Sequence, residues 1–209
     1  MIKKLSVIIL LTTLATQAFA QCFQKNNKIL ETGIAFTYLK YQSYSPDFDE
    51  KDNSEAANYI LPIAFEYAAG SRIGVGIQLD IVNYFTERDT IKNAIATAKS
   101  FDVAAKFNFH WLKKNKTDLY SGITLGVSSF KYEDNSSEEA KFKSTGGVFR
   151  FTVIGSRFYI SDHIALGAFF NTVAYSYKNG EISNKYSNKF SYELTGNGSQ
   201  LGFSIGYKW

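Results

Sequence analysis

The sequence of 209 residues contains one cysteine, two prolines and two histidines. A single cysteine, Cys22, excludes an internal disulfide framework. Scarce proline argues against a Pro-rich linker, while 15 glycines, 14 tyrosines and 18 phenylalanines favour strands over disorder. The formal net charge of +4 is too small to predict a nucleic-acid partner. Residues 21–209 contain no apolar run long enough to form a membrane helix.

The N-terminus has the three parts of an export signal. Lys3 and Lys4 precede an apolar run from Leu5 to about Leu14, and Ala18-Phe19-Ala20 fits a cleavage site. We therefore expect a signal peptide at 1–20, a short periplasmic segment at 21–28 and one domain at 29–209. Cys22 is close enough to the cleavage site to suggest lipidation. However, Gln21 stands where a lipobox needs a small residue, so we expect an ordinary thiol.

Alternation of apolar and small or polar residues recurs eight times along the domain, as expected for strands. The clearest case is 72–85, where Ile73, Val75, Ile77, Leu79 and Ile81 alternate with glycine and polar residues. The eight predicted strands are 29–41, 57–69, 72–85, 100–112, 118–131, 147–160, 163–177 and the C-terminal strand that ends at Trp209. The sequence thus predicts an all-β, antiparallel fold.

The connections alternate between long polar segments and tight turns, which is typical of an up-and-down meander with one plain end. Two positions disturb the pattern. Pro62 lies inside the second strand, where its missing N–H predicts a bulge. The stretch KNGE at 178–181 is a strong hairpin-turn signal, so ten strands are an alternative to eight.

Alternation alone does not say which face of the sheet is inside. A soluble lipocalin-like barrel would enclose the apolar face around a ligand, whereas a membrane barrel would turn it toward lipid. The polar face carries charges in mid-strand, which favours a polar interior. These charges are Glu66, Asp80, Asp102, Lys106 and Arg150.

Two further features favour the membrane barrel. Apolar stretches of roughly 9–11 residues match a tilted strand that crosses a bilayer, and such a sheet must close because every backbone group needs a partner in hydrocarbon. Aromatic residues collect near strand ends on the apolar face and predict an interfacial girdle. The girdle residues are Tyr59, Tyr67, Phe109, Trp111, Tyr207 and Trp209. The sequence therefore predicts a transmembrane β-barrel in which the eighth strand pairs with the first.

The export signal, eight alternating strands and terminal aromatic resemble the small outer-membrane barrels of the OmpX/OmpA type. The resemblance is a pattern over 28–209, and the Tyr/Asn/Lys-rich composition is similar to Bacteroidota barrels. It implies a Gram-negative outer membrane and a C-terminal strand recognised by the barrel-assembly machinery. Tyr207 and Trp209 match that assembly signal, while Ser204 stands where a glycine is usual.

The sequence gives little support for catalysis. His110 and His163 fall near the plain, periplasmic end, and neither is followed two residues later by a serine. Acidic residues cluster in the first long connection, but without the glycine-centred pattern of a calcium loop. We expect no enzyme, no metal and no cofactor.

The interior charges predict a closed barrel. Burying charge is costly unless it is paired, so we expect Asp80 to meet Lys106, with Glu66 and Arg150 extending the network. The predicted function is structural or interactive, with long surface loops for adhesion, recognition or envelope integrity. A narrow channel for small or apolar solutes and an exported lipocalin-like binding barrel are the alternatives. Expected partners are outer-membrane lipid, lipopolysaccharide, the barrel-assembly machinery and an extracellular partner of the loops.

Overall fold

The computed structural model describes residues 22–85, 88–89, 94–114, 116–134, 141–183 and 189–209. The predicted signal peptide lies outside these residues. The strands are β1 (Lys28–Ser45), β2 (Glu50–Ala68), β3 (Ile73–Tyr84), β4 (Arg88–Asp89), β5 (Ala94–Lys114), β6 (Thr117–Asp134), β7 (Lys141–Tyr159), β8 (Ile164–Ser183) and β9 (Lys189–Lys208). In the described part of the chain, no helix is long and apolar enough to cross a membrane.

The strands form a closed antiparallel ring. Consecutive strands pair with each other except β3 and β4, β1 also pairs with β9, and the pairing of β3 with β5 completes the circle. The two-residue β4 only pairs with the outer end of β5, so the wall has eight long strands. The predicted eight-stranded up-and-down barrel is confirmed. The ten-strand alternative is wrong, because KNGE continues β8 through a register shift between Tyr177 and Gly180.

The two ends of the barrel differ as predicted, but most of the predicted long loops are strand. At the plain end, turns occupy 69–72 and 160–163, and β5 ends only three positions before β6 begins. At the opposite, outer end, β1 and β2 stay paired as far as Ser45 and Glu50, which leaves only a turn at 46–49. On β2, residues 50–55 are exposed on both faces, so this extension needs no apolar alternation and the sequence pattern missed it.

The bulge predicted at Pro62 is also wrong. The register between β1 and β2 is the same on both sides of this residue, although the ladder lacks the pairs that would join Gly33 to Pro62 and Ile34 to Leu61. Pro62 has no N–H to donate, so it interrupts the ladder locally without adding a residue. It remains opposite Asp80 on β3.

Register shifts occur elsewhere, and one of them has a large consequence. The pairing register of β7 shifts against both neighbouring strands. Against β6 the shift lies between Thr152 and Gly155, and against β8 it lies between Thr152 and Ile154. Val153 is therefore an extra residue, and Val153 and Ile154 both point outward. This bulge reverses the alternation, so odd-numbered residues of β7 face the interior beyond it.

The wall has an apolar outer surface and a polar interior, as predicted. Large aliphatic and aromatic side chains are exposed all around the barrel, including Ile77, Leu125, Val127 and Phe203. Buried positions instead hold ionisable, amide and hydroxyl side chains, together with small residues and a group of tyrosines. This is the reverse of a soluble barrel, where the apolar side chains lie inside.

Candidate functional site: the barrel interior

A buried arginine organises the half of the interior nearest the plain end. Arg157 Nε and Nη2 donate to the two carboxylate oxygens of Glu31 at 3.0 and 2.7 Å. Nη2 also contacts Glu66 Oε2 at 2.5 Å, and Nη1 donates to Asp118 Oδ2 at 3.1 Å. The guanidinium lies 4.6 Å from the ring centre of Tyr120. We call Glu31, Glu66, Lys106, His110, Asp118 and Arg157 the lower network.

His110 joins two carboxylates of the lower network. Its Nδ1 lies 2.7 Å from Asp118 Oδ1 and its Nε2 lies 2.7 Å from Glu66 Oε1. An ionised carboxylate only accepts hydrogen bonds, so the ring meets both as a donor when it carries two protons. With Arg157 and Lys106 it then gives three cations against three carboxylates. The side chains are almost fully buried, and this balance reduces the cost of burying them.

Glycines make room for this network. A Cβ at position 74 on β3 would overlap the carboxylate of Glu66, and one at position 155 on β7 would overlap the ring of Tyr120. Asn108 Nδ2 donates to Glu66 Oε2 at 2.7 Å, so that carboxylate is held from three sides. The small residues on the interior face therefore have a packing role.

The N-terminal segment packs against the interior at the plain end of the barrel. Asn26, at φ 73°, and Asn27 form a turn whose backbone bonds to Ala68 at the end of β2. Asparagine tolerates this left-handed conformation better than most residues. The turn directs Phe23 into the barrel, where it is fully buried and stacks on His110 at 3.5 Å between ring centres.

Cys22 lies beside Phe23 and is buried against Tyr159 and Ala165. Its thiol donates to the backbone carbonyl of Thr117 at 3.2 Å, and its own carbonyl accepts from Lys208 Nζ at 3.1 Å. Burial, followed by the negative charge of Asp118, raises the pKa of the Cys22 thiol to about 11.

The raised pKa predicts a protected thiol. Maleimide reacts with the thiolate, and at pH 8 only about one thiol in a thousand is ionised when the pKa is about 11. We expect the folded barrel to label slowly at pH 8 and the urea-unfolded chain to label within minutes, as measured by intact mass. Equal labelling rates in the two states would show that Cys22 is not buried.

A second arginine organises the middle of the interior. Arg150 Nη1 lies 2.8 Å from Asp80 Oδ2, and Nη2 contacts Asp102 Oδ2 and Tyr175 OH. Tyr175 in turn donates to Asp102, at 3.1 Å. Gln78 Nε2 donates to Asp80 at 2.9 Å. We call Asp80, Asp102, Arg150 and Tyr175 the middle network.

Aromatic side chains fill the interior above the middle network. The ring of Phe130 lies 5.4 Å from Tyr84, 5.7 Å from Phe142 and 5.5 Å from Tyr177. The tyrosine hydroxyls in this region have hydrogen-bond partners. Tyr41 OH donates to Tyr84 OH at 3.1 Å, and Tyr177 OH bonds Ser128 Oγ at 2.7 Å. The aromatic cap consists of Tyr41, Tyr84, Phe130, Phe142, Tyr175 and Tyr177.

A small polar cavity of about 30 Å³ lies between the two networks. Glu31, Lys106, Gln78 and Asn171 are among the side chains that line it. This volume is enough for one or two water molecules.

The structure places all five sequence-predicted interior charges inside the barrel: Glu66, Asp80, Asp102, Lys106 and Arg150. It does not bring Asp80 and Lys106 together as predicted. Lys106 is opposite Gly76, four residues along the strand from the Asp80–Asp102 pair, a distance of about 13 Å. Lys106 instead lies 3.9 Å from Glu31, and Asp80 pairs with Arg150.

Sequence reasoning missed Glu31, Asp118 and Arg157. Glu31 and Asp118 share the parity of the predicted inward residues on their strands, so the pattern contained their signal. Arg157 has the parity of the outward residues Phe149 and Phe151, and only the bulge at Val153 turns it inward. No local sequence signal identifies this reversal.

The predicted girdle residues lie at two levels. Tyr67, Phe109, Trp111, Tyr207 and Trp209 collect at the plain end, and the Trp209 ring packs 6.2 Å from Phe65 and 5.9 Å from Tyr207. Tyr59 lies eight residues up β2, about 26 Å along the strand, and pairs with Phe85 at 5.7 Å. On a strand tilted by about 40°, this step corresponds to about 20 Å along the barrel axis, compared with an apolar band about 25 Å tall in membrane barrels.

The other polar residues singled out from the sequence lie at the two ends of the barrel. His163 is exposed at the plain rim, where its Nδ1 donates to the Lys208 carbonyl at 2.8 Å. The acidic residues of the first predicted loop flank the turn at 46–49, and Tyr44 OH donates to Asp49 at 3.2 Å. Among the described residues, no group of three or more His, Cys, Asp or Glu side chains is arranged to hold a metal ion.

Comparison with known proteins gives similarity at the level of the fold. No family model matches the chain, and no curated protein matches it by sequence. Among solved structures, the chain is similar to the outer membrane protein OprG from Pseudomonas aeruginosa, with 14% identity and a TM-score of 0.55 over 90% of this chain and 97% of that one.

It is also similar to the outer membrane protein AlkL determined in lipid bilayers, with 10% identity and a TM-score of 0.57 over 90% of this chain and 92% of that one. These similarities and the ring of eight long strands agree with the sequence pattern. The chain therefore has the fold of the small outer-membrane β-barrels.

Proposed function

We propose that this protein is an integral outer-membrane barrel with a closed interior, which serves as a rigid platform for surfaces exposed at its outer end. The observation that carries this proposal is the filling of the interior at successive levels. Phe23 and the lower network fill the plain end, the middle network follows, and the aromatic cap lies above. Each level combines well-packed or ion-paired groups with little free volume.

The outer end supports a role in recognition or adhesion, although with strands in place of the long loops predicted from sequence. The β1–β2 hairpin stays paired up to its turn, and Asp47 Oδ2 accepts a hydrogen bond at 2.7 Å from the backbone N–H of Ser191 on β9. Such a hairpin loses little conformational entropy when a partner binds. The barrel is proposed to be non-enzymatic, because its buried acid–base groups are committed to ion pairs.

The test of this proposal is insertion followed by conductance. We expect the protein to fractionate with outer membranes and to change gel mobility on boiling. In planar bilayers the inserted barrel should show no steady ion conductance, because the described side chains fill the interior. Insertion with frequent, stable open channels would overturn the closed interior, and a protein recovered in the soluble periplasm would overturn the membrane assignment.

A narrow route for apolar solutes is a second candidate, favoured by one observation. Where Pro62 interrupts the β1–β2 ladder, Thr32 lines both the inner cavity and an apolar groove on the outer surface. That groove is also lined by Leu30, Ile63 and Ile205. Faster transfer of an apolar dye across the same protein-containing membranes, with no ion conductance, would favour this sideways route.

A further inference from the structure

A row of lysines crosses three neighbouring strands just above the apolar band. Lys99 on β5 is directly opposite Lys131 on β6, and Lys131 is directly opposite Lys143 on β7. All three side chains are exposed on the outward face, and none makes an ion pair within 4.0 Å with another described residue. Like charges directly opposite each other on paired strands are destabilising. The row therefore suits an anion that lies beside the wall.

A groove beside this row provides further polar groups. It has a volume of about 570 Å³, and we call it the lysine groove; the side chains that define it are Ser129, Lys131, Lys143, Thr145, Lys178 and Glu181. Ser129 and Thr145 are directly opposite each other, one outward step closer to the apolar band than Lys131 and Lys143. Among the described residues that line the groove, three lysines thus accompany two hydroxyls and one carboxylate, that of Glu181, which is opposite Lys143.

The height of the groove indicates what kind of anion fits it. Lys131 is four residues above Val127, a side chain of the apolar band that is 57% exposed, and this step is about 13 Å along the strand. On β7, Phe149 lies below Lys143 on the same outward face. The lysines point sideways from the wall, not into the mouth of the barrel. An occupant must therefore be an amphiphile with its anionic group at the membrane surface and its chains against Val127 and Phe149.

We propose that the lysine groove binds the phosphate groups of lipid A in the outer leaflet. Phosphate oxygens accept strong, charge-assisted hydrogen bonds from ammonium groups, and hydroxyls add further donors. The opposite wall offers a contrast, because the exposed Lys40 on β1 lies 4.0 Å from Glu55 and already has a partner. The inference rests on the proposed membrane location and adds a specific lipid contact on one side of the barrel.

The experiment compares wild-type barrel in detergent micelles with a triple variant, Lys131→Gln/Lys143→Gln/Lys178→Gln, and with Lys40→Gln as the matched control. Binding of diphosphoryl lipid A is measured by native mass spectrometry. Each lysine near an anionic surface contributes about 1 kcal/mol, so the triple variant should bind about a hundredfold more weakly. Lys40→Gln should bind like wild type, and monophosphoryl lipid A should bind wild type less tightly than the diphosphoryl form.

Equal binding of diphosphoryl lipid A by wild type and the triple variant would overturn the inference, as would an equal loss in Lys40→Gln. A soluble polyanion is tested with heparin, and a larger loss of heparin binding than of lipid A binding in the triple variant would also overturn it. Every variant must first show the mobility shift on boiling. If wild type lacks this shift and does not enter membranes, the proposed function fails; if it inserts but lipid A binding is unchanged, only this inference fails.

Discussion

Arg157→Met is expected to lower the free energy of unfolding by about 3–5 kcal/mol. Methionine roughly preserves the volume of the side chain but removes the guanidinium that bonds Glu31, Glu66 and Asp118 together. Three buried carboxylates would then face each other with only Lys106 and His110 nearby. Urea unfolding in lipid vesicles, followed by the fluorescence of Trp111 and Trp209, measures the change.

A control variant shows whether the loss of stability is specific to the buried Arg157. Arg72→Met alters an exposed arginine in the turn at the plain end and should change stability by less than about 0.5 kcal/mol. Adding Glu31→Gln to Arg157→Met leaves two carboxylates for the two remaining cations, Lys106 and His110, and should recover part of the loss. If Arg157→Met unfolds at the wild-type urea concentration, the lower network does not stabilise the barrel.

Period-2 alternation was sufficient to predict the barrel, because the facing of a residue in a regular strand is a local property. It placed Asp102 and Lys106 inside and Phe101 and Val103 outside without knowledge of any other strand. The strand number followed from counting the alternating segments, and closure followed from the need to pair every edge in hydrocarbon. Alternation does not predict which residues lie at the same height on neighbouring strands, because that depends on the register between strands. For this reason the predicted contact between Asp80 and Lys106 was wrong.

The strand ends could not be predicted in the same way. Lys51, Asp52 and Asn53 on β2 lie on paired backbone, but no side of that hairpin has to be apolar. Its polar sequence therefore looks like a loop. Backbone hydrogen bonds between β1 and β2 extend this hairpin, and such bonds require no periodic pattern of apolar residues in the sequence.

Two kinds of interaction stabilise the interior, each at a different level along the barrel axis. Near the plain end and the middle, ion pairs around Arg157 and Arg150 bridge strands that are not neighbours. Toward the outer end, ring contacts around Phe130 replace them. The two arginines both come from β7, so the geometry of that one strand determines where both networks lie.

Deletion of Val153 tests the geometry of β7 directly. Because Val153 is an extra residue against both β6 and β8, its removal should restore regular pairing and still leave Arg157 facing inward. The main loss is the 2.8 Å hydrogen bond from Ser121 Oγ to the Val153 carbonyl, which costs about 1 kcal/mol. We expect this deletion variant to refold, to shift on boiling and to resemble wild type in urea.

Deletion of Val103 on β5 is the matched comparison. The pairing of β3 with β5 has no register shift from the Ile73–Phe109 pair to the Asn83–Lys99 pair. Removing it must reverse the facing of one half of β5, which turns Lys106 and His110, or Asp102, toward lipid. A charged side chain at the bilayer midplane costs about 2–4 kcal/mol, and the lower or middle network would be broken as well. We expect this variant not to form a heat-modifiable barrel. If the Val153 deletion also fails to refold, the bulge is required for folding, and Val153 does more than set the facing of Arg157.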